Sequence, residues 1–255
     1  MPLITLLTDF GLSDTYVGQM KGAILGIAPS VHLVDLTHAV PPQDVLAGAF
    51  LLWTAVEPFG RDAVHLAVVD PGVGSSRRAL AMRCARGDIF VGPDNGLLMP
   101  AVERLGGLSC AVELSDSRYW RPALSSTFHG RDIFGPVAAH LANGIELEAL
   151  GPRTEHFVPL ELPQRDGLAG EIVHVDTYGN LVTNIPGDVL PPHYIVHIRG
   201  CAVRSAANYA AVAPGDLLAL VGSAGLLEIS ARDTSAARVL EARRGARLTV
   251  EAAAA

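Results

Sequence analysis

ITLLTDFGLSDTYVGQMKGAILGIAPSVHLVDL, residues 4–36, decides the fold class of this chain. Ile4–Thr8 is a short apolar run that stops at Asp9-Phe10-Gly11. From Tyr16 to Ala28, the residues Val17, Met20, Ile24 and Ile27 recur at steps of three and four. That is the spacing of one face of a helix. Pro29 ends it, because proline has no N–H to give and its ring clashes with the preceding turn. Val31–Leu36 is again a buried-strand run. Strand, helix and strand in this order make the repeating unit of a parallel sheet.

The same alternation extends to about residue 160. Val45 to Val56 is helical in pattern, and Val64–Val69 is a strand that runs into Asp70-Pro71-Gly72. Leu80–Cys84 and Ile89–Val91 read as strands. Asn95 to Leu105 is expected to begin a helix after a Gly-Pro-Asp-Asn turn, and Ile133 to Leu141 is a further helix. The expected architecture is α/β, a mostly parallel sheet with helices on both faces. In such sheets ligands bind beyond the carboxyl ends of the strands. Asp9 and Asp70 both stand there.

From about Gly151 the character changes. Pro159, Pro163 and Gly167 mark a linker around residues 152–168. Short strand-like runs follow at Gly170–Asp176, Leu181–Ile185, Tyr194–Ile198, Leu217–Val221, Leu226–Ile229 and Arg247–Val250, separated by Gly, Pro and Asn turns. These read as a smaller antiparallel β domain, barrel-like in character. The expected division is an N-terminal α/β domain over residues 1–160 and a C-terminal β domain over 161–251.

The chain has 255 residues, 49% of them apolar, so a sizeable core can be buried. Only 18% are charged and the net charge is −7, which gives no reason to expect nucleic acid or an acidic membrane surface as partner. No basic leader opens the chain and no run of about 18 apolar residues occurs, so a cytoplasmic protein without a membrane span is expected. Cys84, Cys110 and Cys201 are odd in number and scattered, and they read as small core residues rather than disulfide partners or zinc ligands. Nine histidines are present without H-x-x-x-H or H-E-x-x-H spacing, so no metal site is expected.

Four polar clusters could carry chemistry. In Thr8-Asp9-Phe10-Gly11-Leu12-Ser13-Asp14, two carboxylates lie on a strand-to-helix turn. A carboxylate can accept two hydrogen bonds from a cis-diol, such as the 2′- and 3′-hydroxyls of ribose. Either acid could instead cap the helix that follows. In Asp70-Pro71-Gly72-Val73-Gly74-Ser75-Ser76-Arg77-Arg78, an acid at a strand end precedes a Gly-rich loop and two arginines. This is not a phosphate-binding P-loop, since the Gly-Lys-Ser/Thr ending is missing; a tight turn with solvated arginines is the plain alternative. Phe128-His129-Gly130-Arg131-Asp132 places a histidine ahead of a helix that Asp132 could cap. Asp176-Thr177-Tyr178-Gly179-Asn180 is dense in polar groups inside a β pattern and is also turn-like. Asn208-Tyr209 and Gly222-Ser223-Ala224-Gly225 could be ordinary loops.

Taken together, these strings resemble the S-adenosyl-L-methionine (SAM) hydroxide adenosyltransferase family, whose relatives make 5′-halo-5′-deoxyadenosines. The likeness spans Ile4 to about Ala237. It rests on TDFGLSDTYVGQMKG (8–22), VVDPGVGSSRR (68–78), GPDNGLL (92–98), TFHGRDIF (127–134), HVDTYGNLVTNI (174–185) and GSAGLLEI (222–229). The resemblance implies an enzyme that releases adenosine and L-methionine from SAM and water, with SAM as substrate and no cofactor. It also implies a homotrimer with active sites between the N-domain of one subunit and the C-domain of the next. Asp70, Arg77 and His129 map onto the family's water-handling set, with Arg78 a neighbour that could take the place of Arg77. Asp9 maps onto the carboxylate on the ribose diol, and Asp14 is the second substrate-binding acid of the same turn. Asp176 maps onto the acid at the methionine ammonium and Ser223 onto a hydroxyl near its carboxylate. Asn180 and Tyr209 match the nucleoside pocket, with Tyr178 beside them. Arg232 stands where the family usually has Asn, and Ala224 replaces a larger residue.

Either Asp70 or His129 could take the proton from water. Two other functions compete: halide transfer to the same substrate, which Asp70 and His129 disfavour, and a non-catalytic adenosine or SAM sensor, which would not need them.

Overall fold

The computed structural model describes residues 2–160 and 162–253. The chain forms two compact units, Met1–Leu160 and Glu161–Ala255.

The first unit is built on a six-stranded sheet. Its strands are β1 (Leu3–Thr8), β2 (His32–Thr37), β3 (Val64–Val68), β4 (Ala79–Cys84), β5 (Ile89–Pro93) and β6 (Leu108–Glu113), in the order β2-β1-β3-β5-β4-β6. The first four strands in that order pair in parallel, while β4 is antiparallel to both β5 and β6. The helices are α1 (Tyr16–Ile27), α2 (Val45–Ala55), α3 (Met99–Arg104) and α4 (Gly135–Ala142).

Side-chain alternation along the central strands shows why both faces are covered. Ile4 and Leu6 of β1 join Met20 and Ile24 of α1 and Val137 and Leu141 of α4 in one buried cluster. Leu7 joins Ala47 and Leu52 of α2 and Ala101 and Val102 of α3 in the other. Near-continuous apolar strands are what a doubly covered sheet requires.

Five expectations need correction. The helix expected from Asn95 begins at Met99, because the Asn95 side chain holds a turn by accepting from Leu97 N at 3.2 Å. The helix expected from Ile133 is preceded by a five-residue π turn, Gly130–Phe134. Asp14 does not cap α1, whose N-cap is Thr15 with no side-chain hydrogen bond. Asp132 does not cap its helix either: it is wholly buried and accepts from Ser125 N, Arg121 and Arg131. Of the cysteines read as core residues, only Cys84 is buried, while Cys201 is exposed.

The second unit is a seven-stranded sheet. It comprises β7 (Ala169–Val175), β8 (Leu181–Pro186), β9 (Tyr194–Ile198), β10 (Cys201–Arg204), β11 (Leu217–Val221), β12 (Leu226–Ala231) and β13 (Arg247–Ala252), with a short helix α5 (Ala236–Val239). The order is β10-β9-β13-β7-β8-β12-β11, and every ladder is antiparallel. A bridge from Ser205 to Ala219 links the two outer strands, so the sheet is nearly a closed barrel. Closure removes the exposed edges that invite aggregation. Its interior is filled by Ile172, Leu181, Val196, Leu227, Ile229 and Leu248, among others.

Candidate active site

Strand order positions the site. The chain leaves β1 toward β2 on one side and leaves β3 toward β4 and β5 on the other. The loops after β1 and β3 therefore diverge, and such a switch point opens a crevice at the carboxyl ends of the strands. Thr8 pairs with Val68 in the parallel ladder, so Asp9 and Asp70 emerge from neighbouring strand ends.

The loop after β3 folds back on itself. Arg77 Nε reaches Asp70 Oδ1 at 3.0 Å and Oδ2 at 3.1 Å, and its Nη2 reaches Oδ2 at 2.5 Å. The same Nη2 lies 2.7 Å from His129 Nδ1. The Arg77 guanidinium also stands over the Phe134 ring, 5.1 Å from its centroid. The side chains of Asp70 and Arg77 are only 6% and 12% exposed, so little water competes for these contacts. Three residues up to 59 positions apart, from Asp70 to His129, are thus joined into one charged cluster.

Glycines permit the approach. Gly74 has φ +77°, and a Cβ there would strike the backbone carbonyl of Ser126. Gly130 faces the Phe10 ring, and a Cβ would come within 2.9 Å of it. His129 sits immediately before the π turn, which widens the backbone at the start of α4.

Burial pushes the His129 imidazole below its ordinary value, and the Arg77 charge adds to that against the opposing pull of Asp70. The ring is therefore neutral near pH 7. Arg78 plays a different part. It pairs with buried Asp94, donates to Thr154 at 3.0 Å and also binds the His156 carbonyl. It points away from the cluster, so Arg77 is the arginine that meets Asp70 and His129.

Asp9 lines a cavity of about 530 Å³ with Phe10, Tyr16, Gln19, Ser125, Thr127, Phe128 and Arg131. Its Oδ2 accepts from Gln43 N at 2.8 Å. Asp14 lies exposed on the turn before α1.

In the second unit, Tyr178, Asn180 and Tyr209 line one cavity of about 640 Å³, together with Arg232 and Ser235. Asp176 closes the β7–β8 turn: its carboxylate accepts from Tyr178 N, Asn180 N and Asn180 Nδ2 at 2.8–2.9 Å. Tyr209 donates to the buried Glu228 at 2.8 Å, and burial first, then that hydrogen bond, push its hydroxyl up to about 12. Ser223 is exposed in the β11–β12 turn and outside that cavity.

Family models match both units: the SAM hydroxide adenosyltransferase N-terminal domain over residues 4–151, and the C-terminal domain of the same name over 170–249. The chain belongs to the SAM hydroxide adenosyltransferase family. A relative from Salinispora tropica named (R)-S-adenosyl-L-methionine hydrolase is 43% identical, over 98% of each chain. A fluorinase from Nocardia brasiliensis is more distant, 29% identical over 72% of this chain and 71% of that one. The crystal structure of an uncharacterized conserved protein from Thermotoga maritima superposes with a TM-score of 0.91 at 36% identity, over 97% of this chain and all of that one.

Several supports of the Asp70–Arg77–His129 cluster and the Asp9 turn are not evident from the sequence alone. Asn95 Nδ2 donates to Val69 O at 2.8 Å and so fixes the peptide before Asp70. Asp132 anchors the loop ahead of His129: burial raises its pKa, but hydrogen bonds from Arg131, Ser125 N and Arg121 outweigh this and hold it below the usual range. His38 lies beneath the Asp9 turn. The Asn95 and His38 contacts join residues 26 and 30 positions apart, while those of Asp132 lie within 11 positions.

Proposed function

We propose that this chain hydrolyses S-adenosyl-L-methionine to adenosine and L-methionine. The observation that carries the reading is the joined Asp70–Arg77–His129 cluster beside the Asp9 strand end, in a chain 43% identical to a named SAM hydrolase over nearly its full length.

The C5′ carbon of SAM is already activated, because a neutral thioether leaves. Water is the weak partner, with a pKa of about 15.7. The cluster would hold one water in line with the C5′–S bond. The C5′–O bond forms, the C5′–S bond breaks, and its electron pair returns to sulfur. The water proton passes to Asp70. His129 enters as a donor through Nε2, since its Nδ1 already faces Arg77. Arg77 keeps both partners in place and stabilises developing hydroxide character. SAM and water balance the step, so no further cofactor is called upon.

The remaining roles belong to the same proposal. Asp9 accepts from the ribose diol. Asp14 is a further substrate-binding acid on the Asp9 turn, Asp176 meets the methionine ammonium, and Ser223 lies near the methionine carboxylate. Tyr178, Asn180 and Tyr209 line the nucleoside pocket. We extend the reading to a cytoplasmic homotrimer with active sites shared between subunits. Three free cysteines suit a reducing compartment, no helix among the described residues is long and apolar enough to cross a membrane, and the trimer rests on the family likeness. Light scattering on the purified chain tests the trimer.

The test of function is incubation with SAM, followed by chromatography. Adenosine and methionine in equal amounts support the reading. A 5′-halo nucleoside formed only with added chloride or fluoride would replace it with halide transfer, and intact SAM would leave a sensor.

A further inference from the structure

His38 is buried, 4% exposed, and stands under the turn that carries Asp9. Its Nδ1 is 2.8 Å from the hydroxyl of Thr8, the last residue of β1. Its backbone carbonyl accepts from Gly11 N at 2.8 Å. One residue thus grips both ends of the Thr8–Gly11 turn. Its Nε2 lies 3.1 Å from Asp35 Oδ1, and Lys21 of α1 holds Asp35 Oδ2 at 2.7 Å. The Thr8 hydroxyl also accepts from Phe10 N at 3.2 Å, which bends the chain directly after Asp9.

A buried imidazole and a buried hydroxyl cost free energy against apolar residues of the same shape, unless their hydrogen bonds repay it. Valine would suit the end of a buried strand at least as well as threonine. Among the described residues, the polar side-chain contacts of Thr8 and His38 are with one another, Asp35 and this turn. The turn they hold carries Asp9, whose Oδ2 accepts from Gln43 N.

We infer that His38, backed by Asp35, is a positioning residue for nucleoside recognition: through Thr8 it aims the Asp9 carboxylate at the ribose diol. The inference rests on the diol role proposed for Asp9. Aim matters because a carboxylate binds two hydroxyls only when both oxygens face them.

The test measures binding of adenosine and of 2′,3′-dideoxyadenosine by calorimetry, on the full-length protein and its variants. His38→Leu is expected to weaken adenosine about tenfold, the scale of one hydrogen bond to a charged group, and to leave the dideoxy compound unchanged. Thr8→Val, which removes only the hydroxyl, is expected to do the same and serves if His38→Leu does not fold. His38→Asn, whose amide oxygen replaces Nδ1 as the acceptor for Thr8, is expected to restore adenosine binding. His38→Gln, which reaches only toward Asp35, is not. Equal loss for both nucleosides would mean a general packing role and would overturn the inference, as would unaltered adenosine binding in both His38→Leu and Thr8→Val. If the wild-type protein does not prefer adenosine over the dideoxy compound, the diol role of Asp9 fails and the inference falls with it.

Discussion

Arg77 Nη2 stands 2.7 Å from His129 Nδ1, and a guanidinium has only donors to offer. Nδ1 is therefore the acceptor and carries no proton. The one proton of the neutral ring sits on Nε2, so His129 can orient a water but is not free to deprotonate it through that nitrogen. Asp70 is left as the acceptor within the cluster.

A first consequence concerns Asp70→Asn. The amide keeps the shape but cannot take a proton from water. We expect kcat to fall by about 10²–10⁴, the usual scale for a lost general base, while adenosine binding holds. Rapid-quench turnover together with calorimetry checks both.

The acid limb of the pH profile follows from His129. Its folded pKa lies below the ordinary 6.5. Protonation places an N–H against Arg77 and breaks the contact, so the active form is the neutral one. Activity is expected to be full above that lowered pKa and to decline as pH falls through it, with a midpoint below 6.5. In His129→Asn, which does not titrate, that limb should disappear. A midpoint at or above the ordinary histidine value would contradict this assignment.

The two adjacent arginines separate by experiment. Arg77→Lys loses the fork that spans Asp70 and His129, and we expect kcat to drop by about 10²–10³. Arg78→Lys loosens Asp94, Thr154 and the His156 carbonyl instead. It should lower stability by about 1–3 kcal/mol with kcat retained. Chemical denaturation and steady-state rates on both variants decide the matter.

Gly130→Ala tests the close packing before α4. Its Cβ would meet the Phe10 ring at 2.9 Å. Overpacking of this kind costs about 1–3 kcal/mol. Because His129 is the preceding residue, turnover should fall along with the melting temperature.

Much of this was legible in the amino-acid string, for physical reasons. β1, α1 and β3 are set by local periodicity, and Asp9 and Asp70 were visible as polar residues directly after strands. The antiparallel run of β4 and β6 was not, since an apolar strand does not announce the direction of its neighbour; β6 and β10 escaped notice altogether. The π turn at Gly130–Phe134 reads locally as ordinary helix. The choice between Arg77 and Arg78 depends on which of two adjacent side chains faces a histidine 52 positions from Arg77, which no short window contains. The contacts of His38 with Thr8 and of Asn95 with the Val69 carbonyl escaped notice because each joins residues far apart in sequence.

The most direct measurement is a single turnover of SAM in ¹⁸O-labelled water, with the adenosine analysed by mass spectrometry. Adenosine carrying the heavy isotope at its 5′-oxygen, made by the wild type and lost in Asp70→Asn, is the predicted result. Unlabelled adenosine, or labelled adenosine made equally well without the Asp70 carboxylate, would contradict it.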